Sequence, residues 1–397
     1  MKGILDYQPF KGVYIAYFVL SLLSVKLPYW TMKYSIRSQR PRRAWTLKRA
    51  LIVRTIRELF SMKVDVGREQ KAGRVVDDST LTDAKFVWVE GIPDELFCGE
   101  IRRAAEITGA RPARVPGYWL LKKGYTWTGP KAKPGEKTLL HFHGGAFYIG
   151  SAHPSDVTAN FTRGLLRYSK SLERTFAVDY RLLAPRGRPP ANPFPAALLD
   201  AIAAYRYLVQ DAGFEPQHVI LAGDSAGGNL VIAVVRHLLE NPDPSLPPPG
   251  RILSASAWLD MYMSRRGPHS SAVLNAPTDI FDEPPPGEIF TWHAAVSLLG
   301  GMDVEEAKTN RYFSPVSLHV VPSDGLFKGF PETYVAVGGA ERLLDDSKAL
   351  VEKMRADGVE VVADIPPDAV HDFVVFTWHE PEHTESLCKI SKWIDDM

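Results

Sequence analysis

In the stretch "GDSAGG", Gly223 and Gly227 stand two residues to either side of Ser225. A serine hydroxyl becomes a nucleophile when a sharp turn exposes it and a neighbouring base takes its proton. The flanking residues supply such a turn. Val219, Ile220, Leu221 and Ala222 form an apolar run suited to a strand buried on both faces, while Leu230, Val231, Val234, Val235 and Leu238 recur at helical spacing. Ser225 therefore sits where a strand breaks into a helix, and glycine at 223 and 227 removes the Cβ clashes of so tight a turn. A serine at this junction also fits a helix N-cap, and the motif alone does not separate the two roles.

A second stretch, "KTLLHFHGGAFYIGS", reads as a buried strand from Thr138 to Phe142 followed by the turn His143-Gly144-Gly145-Ala146. Glycines there leave the N–H groups of Gly144 and Gly145 to face a ligand. Together with the N–H of Ala226, next after the serine, they fit an oxyanion hole, whose donors each contribute roughly 10²–10³ in turnover. His143, tied to this loop, reads as its brace and not as a base.

The segments "HGGAF", "DYRLLAP…NPFPAALLDA" and "GDSAGGN", then "SAWLDM", "SPVSL", "PETYVAVGGAERLLDDS" and "HDF", occur in this order. They resemble the hormone-sensitive-lipase-like esterase family of the α/β-hydrolase superfamily, from about Thr138 to the C-terminus. The resemblance implies a serine carboxylic ester hydrolase working through an acyl-enzyme, without metal or organic cofactor. Its nucleophile, acid and histidine follow in that chain order. The family's acid slot, similar to D-x-L-x-D, reads Glu341-Arg342-Leu343-Leu344-Asp345, which assigns the acid to Glu341. Asp345 and Asp346 stay open as rivals, although both suit the cap of the helix that follows. His371, after the strand "VEVVADI" and the loop "PPDAV", takes the place of the family's base. Asp224 resembles the acidic residue of the GDSAGG motif and is expected to organise the site from behind. Ala146 departs from the commoner third glycine. Likeness to arylacetamide and steryl-ester deacetylases implies a small lipophilic, acetyl-type ester. Amide or formamide hydrolysis by the same triad is one alternative, and a ligand-binding module that has lost its histidine is another; the presence of His371 argues against the second.

Strands at about 86–90, 117–122, 138–142, 174–179, 218–223, 251–256, 333–337 and 359–364 predict the α/β-hydrolase fold. It has a mostly parallel eight-stranded sheet with an antiparallel start, helices such as Ala196 to Val209 on both faces, and a helical cap. Residues 86–397 form the expected catalytic domain. Outside the strand rhythm lie the leader, 1–85, and a proline-rich insertion at about 261–312, both expected to cover Ser225. Phe147, Tyr148, Trp258, Phe290 and Trp292 are expected as apolar walls of a substrate pocket.

Lys and Arg number 47 against 46 Asp and Glu, a balance that offers nucleic acid no footprint. Cys98 and Cys388, far apart in sequence, read as reduced core thiols. The leader is different. "GVYIAYFVLSLLSV", Gly12 to Val25, carries no charge but falls short of the ~20 apolar residues of a spanning helix. It reads as a membrane-bound segment, an uncleaved signal anchor or a cap helix. "AWTLKRALIVRTIRELF" beyond it is a basic amphipathic helix that suits an anionic lipid surface or the outside of a cap. Residues 12–60 thus predict membrane association, at the endoplasmic reticulum for instance; if the first segment spans, its basic flank puts the catalytic part on the cytoplasmic side. A soluble cytoplasmic protein is the alternative. Asn160-Phe161-Thr162 is a formal glycosylation sequon, yet it falls in an expected helix soon after the donor loop.

Overall fold

Apolar runs with β-branched and aromatic residues form eight strands: β1 (Ala84–Val89), β2 (Val115–Leu121), β3 (Thr138–Phe142), β4 (Arg174–Val178), β5 (Val219–Asp224), β6 (Arg251–Ala255), β7 (Glu332–Ala336) and β8 (Val361–Asp364). The computed structural model describes residues 7–66, 81–184, 189–281, 290–322 and 324–397. One sheet holds all eight in the order β1-β2-β4-β3-β5-β6-β7-β8. β1 and β2 run antiparallel to their neighbours, and the strands from β4 to β8 are mutually parallel. Every residue of β3, β4 and β5 is buried, as a sheet covered on both faces demands.

One face of the sheet is covered by the helices Ala196–Arg206 and Ala226–Glu240, the other by Ala159–Tyr168 and Glu382–Asp395. Parallel register brings Phe142, Gly223, Ser254 and Val335 level across β3, β5, β6 and β7. The loops that leave these strands at their carboxyl ends, with the loop after β8, therefore gather along one edge. That edge is where open α/β sheets hold ligands.

The leader forms a continuous helix, Phe10–Ser35, with a π-turn at Leu22–Lys26, and a second helix, Leu47–Val66. They are packed onto the hydrolase body. Phe18, Leu22, Trp30 and Tyr34 join Trp45, Ala50 and Val53 in a cluster that also holds Ile280, Ala340 and Val370. Ala340 and Val370 immediately precede Glu341 and His371. Polar ties reinforce the cluster: the Trp45 indole N–H donates to the carbonyl of Asp368 at 2.9 Å, Arg42 to that of Gly339 at 2.9 Å, and Arg49 pairs with Glu382 at 2.6 Å.

One smaller expectation changes. Cys388 is exposed and Cys98 half-buried, so neither is a core thiol. The sequon lies, as expected, within a helix, Ala159–Tyr168, where Phe161 and Thr162 are fully buried. The proline-rich stretch at 284–287 lies outside the described residues.

Candidate active site

Ser225 follows β5 at φ +52°, ψ −115°, a conformation that costs a non-glycine residue about 1–3 kcal/mol. Its surroundings hold it there: the Ser225 N–H donates to Ala255 O at 2.9 Å, and Trp258 N–H donates to Ser225 O at 3.0 Å. A Cβ at Gly223 would stand 2.2 Å from Gly227 O, and one at Gly227 would stand 1.9 Å from Phe142 O. Only glycine fits either position. The Ser225 side chain makes no capping bond to the helix it precedes. Instead its Oγ lies 3.1 Å from His371 Nε2.

Behind the imidazole, Nδ1 of His371 is 3.5 Å from Oε1 of Glu341. This is long for a hydrogen bond, a common feature of sites without substrate. Glu341 is fully buried, and its Oε2 accepts the Ser256 hydroxyl and the Gly338 N–H, each at 2.7 Å. The carboxylate is thus aimed by its second oxygen. Neither Asp345 nor Asp346 contacts His371 among the described residues; Asp345 accepts the Ser271 N–H at 2.7 Å and ties the insertion to the helix Leu344–Ala356.

Two further carboxylates surround His371. Asp279, from the insertion, is fully buried and accepts the backbone N–H groups of His371 at 3.1 Å, Ile280 at 2.8 Å and Arg342 at 2.6 Å. Burial raises its pKa to about 6, against the lowering effect of His371. Asp372 brings Oδ2 to 3.2 Å from Nε2, the nitrogen that faces Ser225. Burial pushes the Asp372 carboxyl up to about 7, again with His371 opposing. For His371 itself burial disfavours the cation, but Asp372 and Glu341 outweigh it and hold the pKa well above its ordinary value.

The donor loop differs from expectation at one residue. The N–H of Gly144 donates to Asp224 Oδ2 at 2.8 Å, so it is not available to an oxyanion. Asp224, fully buried and held by His141 Nε2 at 2.7 Å, anchors the loop from beneath. Among the described residues no acceptor within the chain takes the N–H of Gly145, Ala146 or Ala226. Gly145 has φ +114°, and a Cβ there would stand 2.1 Å from Ile149 O. His143 stacks on Tyr180 at 4.2 Å and bonds Gly144 O at 2.7 Å, as a loop brace should. This is equipment for acyl transfer: a hydroxyl turned away from its own helix, a base, a buried carboxylate and backbone donors converge at one edge.

Comparison with known proteins bears on the family and the class of reaction. The sequence profile described as the alpha/beta hydrolase fold matches residues 139–375, more than half of the chain. The chain belongs to this α/β-hydrolase family. It is 28% identical over 260 residues to esterase LipU of Mycobacterium tuberculosis, covering 65% of this chain and 77% of the relative. To an acetyl-hydrolase of Streptomyces hygroscopicus it is 29% identical over 259 residues, 64% of this chain and 73% of that one. The crystal structure of EstE7, a hormone-sensitive-lipase homologue from a metagenome library, shares 32% identity and a TM-score of 0.55 over 71% of this chain and 82% of its own. The protein is a serine hydrolase of the hormone-sensitive-lipase-like kind.

Next to Ser225 this α/β hydrolase holds a cavity of about 290 Å³. Its apolar wall is built from Trp258, Phe281, Phe376, Ile280, Ile56 and Phe60, the last two from the leader helix Leu47–Val66. Of the five aromatics expected there, Trp258 alone lines the cavity among the described side chains. Phe147 packs on Tyr180 at 6.2 Å, Tyr148 meets His293 at 6.0 Å, and Trp292 meets Tyr262 at 6.2 Å. The donor-loop turn and the helix Phe290–Leu299 send those rings into packing contacts beside the cavity. The side chain of Phe290 lies outside the described residues. Ser256, Asp279, Asp372 and Phe281, whose ring edge meets His371 at 5.0 Å, were not singled out in the sequence. Among the described residues no cluster of three or more His, Cys, Asp or Glu is placed to hold a metal ion.

Proposed function

We propose that this enzyme hydrolyses small lipophilic carboxylic esters of the acetyl type through an acyl-enzyme. The observation that carries the reading is the 3.1 Å approach of Ser225 Oγ to His371 Nε2 with the Glu341 carboxylate behind Nδ1. His371 takes the Ser225 proton as Oγ attacks the ester carbonyl. The N–H groups of Gly145, Ala146 and Ala226 receive the oxyanion. His371 then returns the proton to the departing alkoxide, leaving an acyl group on Ser225. A water molecule, deprotonated by the same imidazole, releases the acid. Glu341 keeps Nδ1 protonated and stabilises the imidazolium. Support for an ester comes from relatives named esterase and acetyl-hydrolase, and support for a lipophilic one from the largely apolar wall of the cavity.

Hydrolysis of p-nitrophenyl esters of graded chain length tests this. Acetate and butyrate should be preferred over palmitate, and Ser225→Ala should lower kcat by roughly 10⁴-fold or more. A preference for long-chain esters, or for an acetanilide included in the same panel, would overturn the substrate class. Activity that survives Ser225→Ala would overturn the mechanism.

A further inference from the structure

The helix Phe10–Ser35 has two apolar faces, and the hydrolase body uses one. Phe18, Leu22, Trp30 and Tyr34 are buried in one cluster with Trp45, Ala50 and Val53 and with Ala340 and Val370, the neighbours of Glu341 and His371. On the opposite side Val13, Tyr17, Leu20, Tyr29, Met32 and Ile36 are 58–76% exposed. An apolar stripe this long on a water-facing helix marks a binding surface.

Charge identifies its occupant. Residues 7–60 contain eleven Lys and Arg against the single acid Glu58, in a chain whose net charge is +1. Glu58 is itself neutralised by Lys26 at 2.5 Å and Arg54 at 3.0 Å. Lys33, Arg37 and Arg43 stand exposed at the end of the helix and just beyond it. A second copy of the chain would set these cations against themselves, whereas anionic headgroups above acyl chains complement both the stripe and its basic flank. Spanning the bilayer is a different arrangement, and the packing opposes it. A spanning helix would take Phe18, Leu22, Trp30 and Tyr34 out of the cluster that also holds Ala340 and Val370, and would draw Lys26, midway along its length, away from Glu58.

We propose that the helix Phe10–Ser35 lies in the plane of an anionic bilayer surface, its outer stripe among the acyl chains and its inner face still docked on the hydrolase. The neighbouring helix Leu47–Val66, packed about 8–10 Å away as helices do, carries Ile56 and Phe60 into the cavity wall. The cavity rim then sits one helix layer from the lipid, positioned to receive an ester dissolved there. This last step rests on the ester reading; the docking does not.

The test uses the full chain and vesicles of phosphatidylcholine with or without phosphatidylserine. Wild type should float with the serine-containing vesicles, and the triple variant Val13→Asp/Tyr17→Asp/Leu20→Asp should lose flotation by about tenfold. The variant's hydrolysis of p-nitrophenyl butyrate in solution should stay within about twofold of wild type, which reads a folded enzyme and the ester activity separately from docking. A Gln8→Cys/Ala44→Cys chain lacking Cys98 and Cys388, reconstituted by detergent removal, then meets an impermeant maleimide. Two labels on every labelled molecule support the in-plane helix, and one label, the signature of a spanning helix, overturns it. Wild type that fails to float, a triple variant that floats unchanged, or a triple variant that loses a dimer instead also overturns the proposal. Flotation without hydrolysis by wild type removes the ester reading and leaves the docking supported.

Discussion

The imidazole of His371 faces two claimants on one nitrogen: Ser225 Oγ at 3.1 Å and Asp372 Oδ2 at 3.2 Å. A general base must be neutral, so the rate should fall as pH drops through the His371 pKa. Burial lowers that pKa, but the carboxylates facing the ring, Asp372 first and Glu341 next, raise it well above the ordinary value. Asp372→Asn removes the nearest anion, so the acid limb of the kcat/KM profile should move to lower pH; a profile that does not move would show that Asp372 leaves the base untouched. Asp279 acts through the backbone of His371 and Arg342. Replacing it by Ala strands buried N–H groups, each costing about 1–3 kcal/mol, and should lower thermal stability together with kcat. Ser225, Gly223 and Gly227 were legible in the sequence because their steric demands are local. Gly144 was misread because the carboxylate that takes its N–H is eighty positions away, and the fold alone reveals that it points there. Ser256 and Asp279 gave no local signal for the same reason.

Strand positions were legible to within a few residues, since a run buried on both faces has a composition of its own. The wall of the cavity was not. An aromatic residue in a cap or loop can line a cavity or pack beside it, and helix rotation decides which, as the placement of Phe147, Tyr148 and Trp292 demonstrates. The leader's place was half legible: its amphipathic helix suited a cap or a lipid surface, and the structure shows it bracing the loops of Glu341 and His371. Trp45 is the centre of that brace, 1% exposed and bonded to Asp368 O. Trp45→Ala should cost about 3–5 kcal/mol, readable by denaturant unfolding, and should reduce kcat because the loops of Glu341 and His371 lose a support. Unchanged stability and turnover would detach the leader from the site.

At the scale of the molecule, one sheet edge collects the loops that follow β3, β5, β6, β7 and β8, and the leader closes over that edge from outside. Overall charge is near neutral, yet the basic residues concentrate in the leader, so the two parts should respond differently to salt. Raising ionic strength should weaken attachment to anionic vesicles, since exposed charges are screened beyond about 10 Å at 0.1 M, while hydrolysis of a soluble ester should hardly change. Equal loss of both would contradict this division. The central claim is chemical: Ser225 carries the acyl group during turnover. Intact-mass and peptide analysis of enzyme acid-quenched while hydrolysing p-nitrophenyl acetate should find one acetyl group, on the peptide containing Ser225, absent from Ser225→Ala and strongly depleted in His371→Ala. An active enzyme with no adduct under conditions where deacylation is slow, or with its adduct on another residue, would contradict the account.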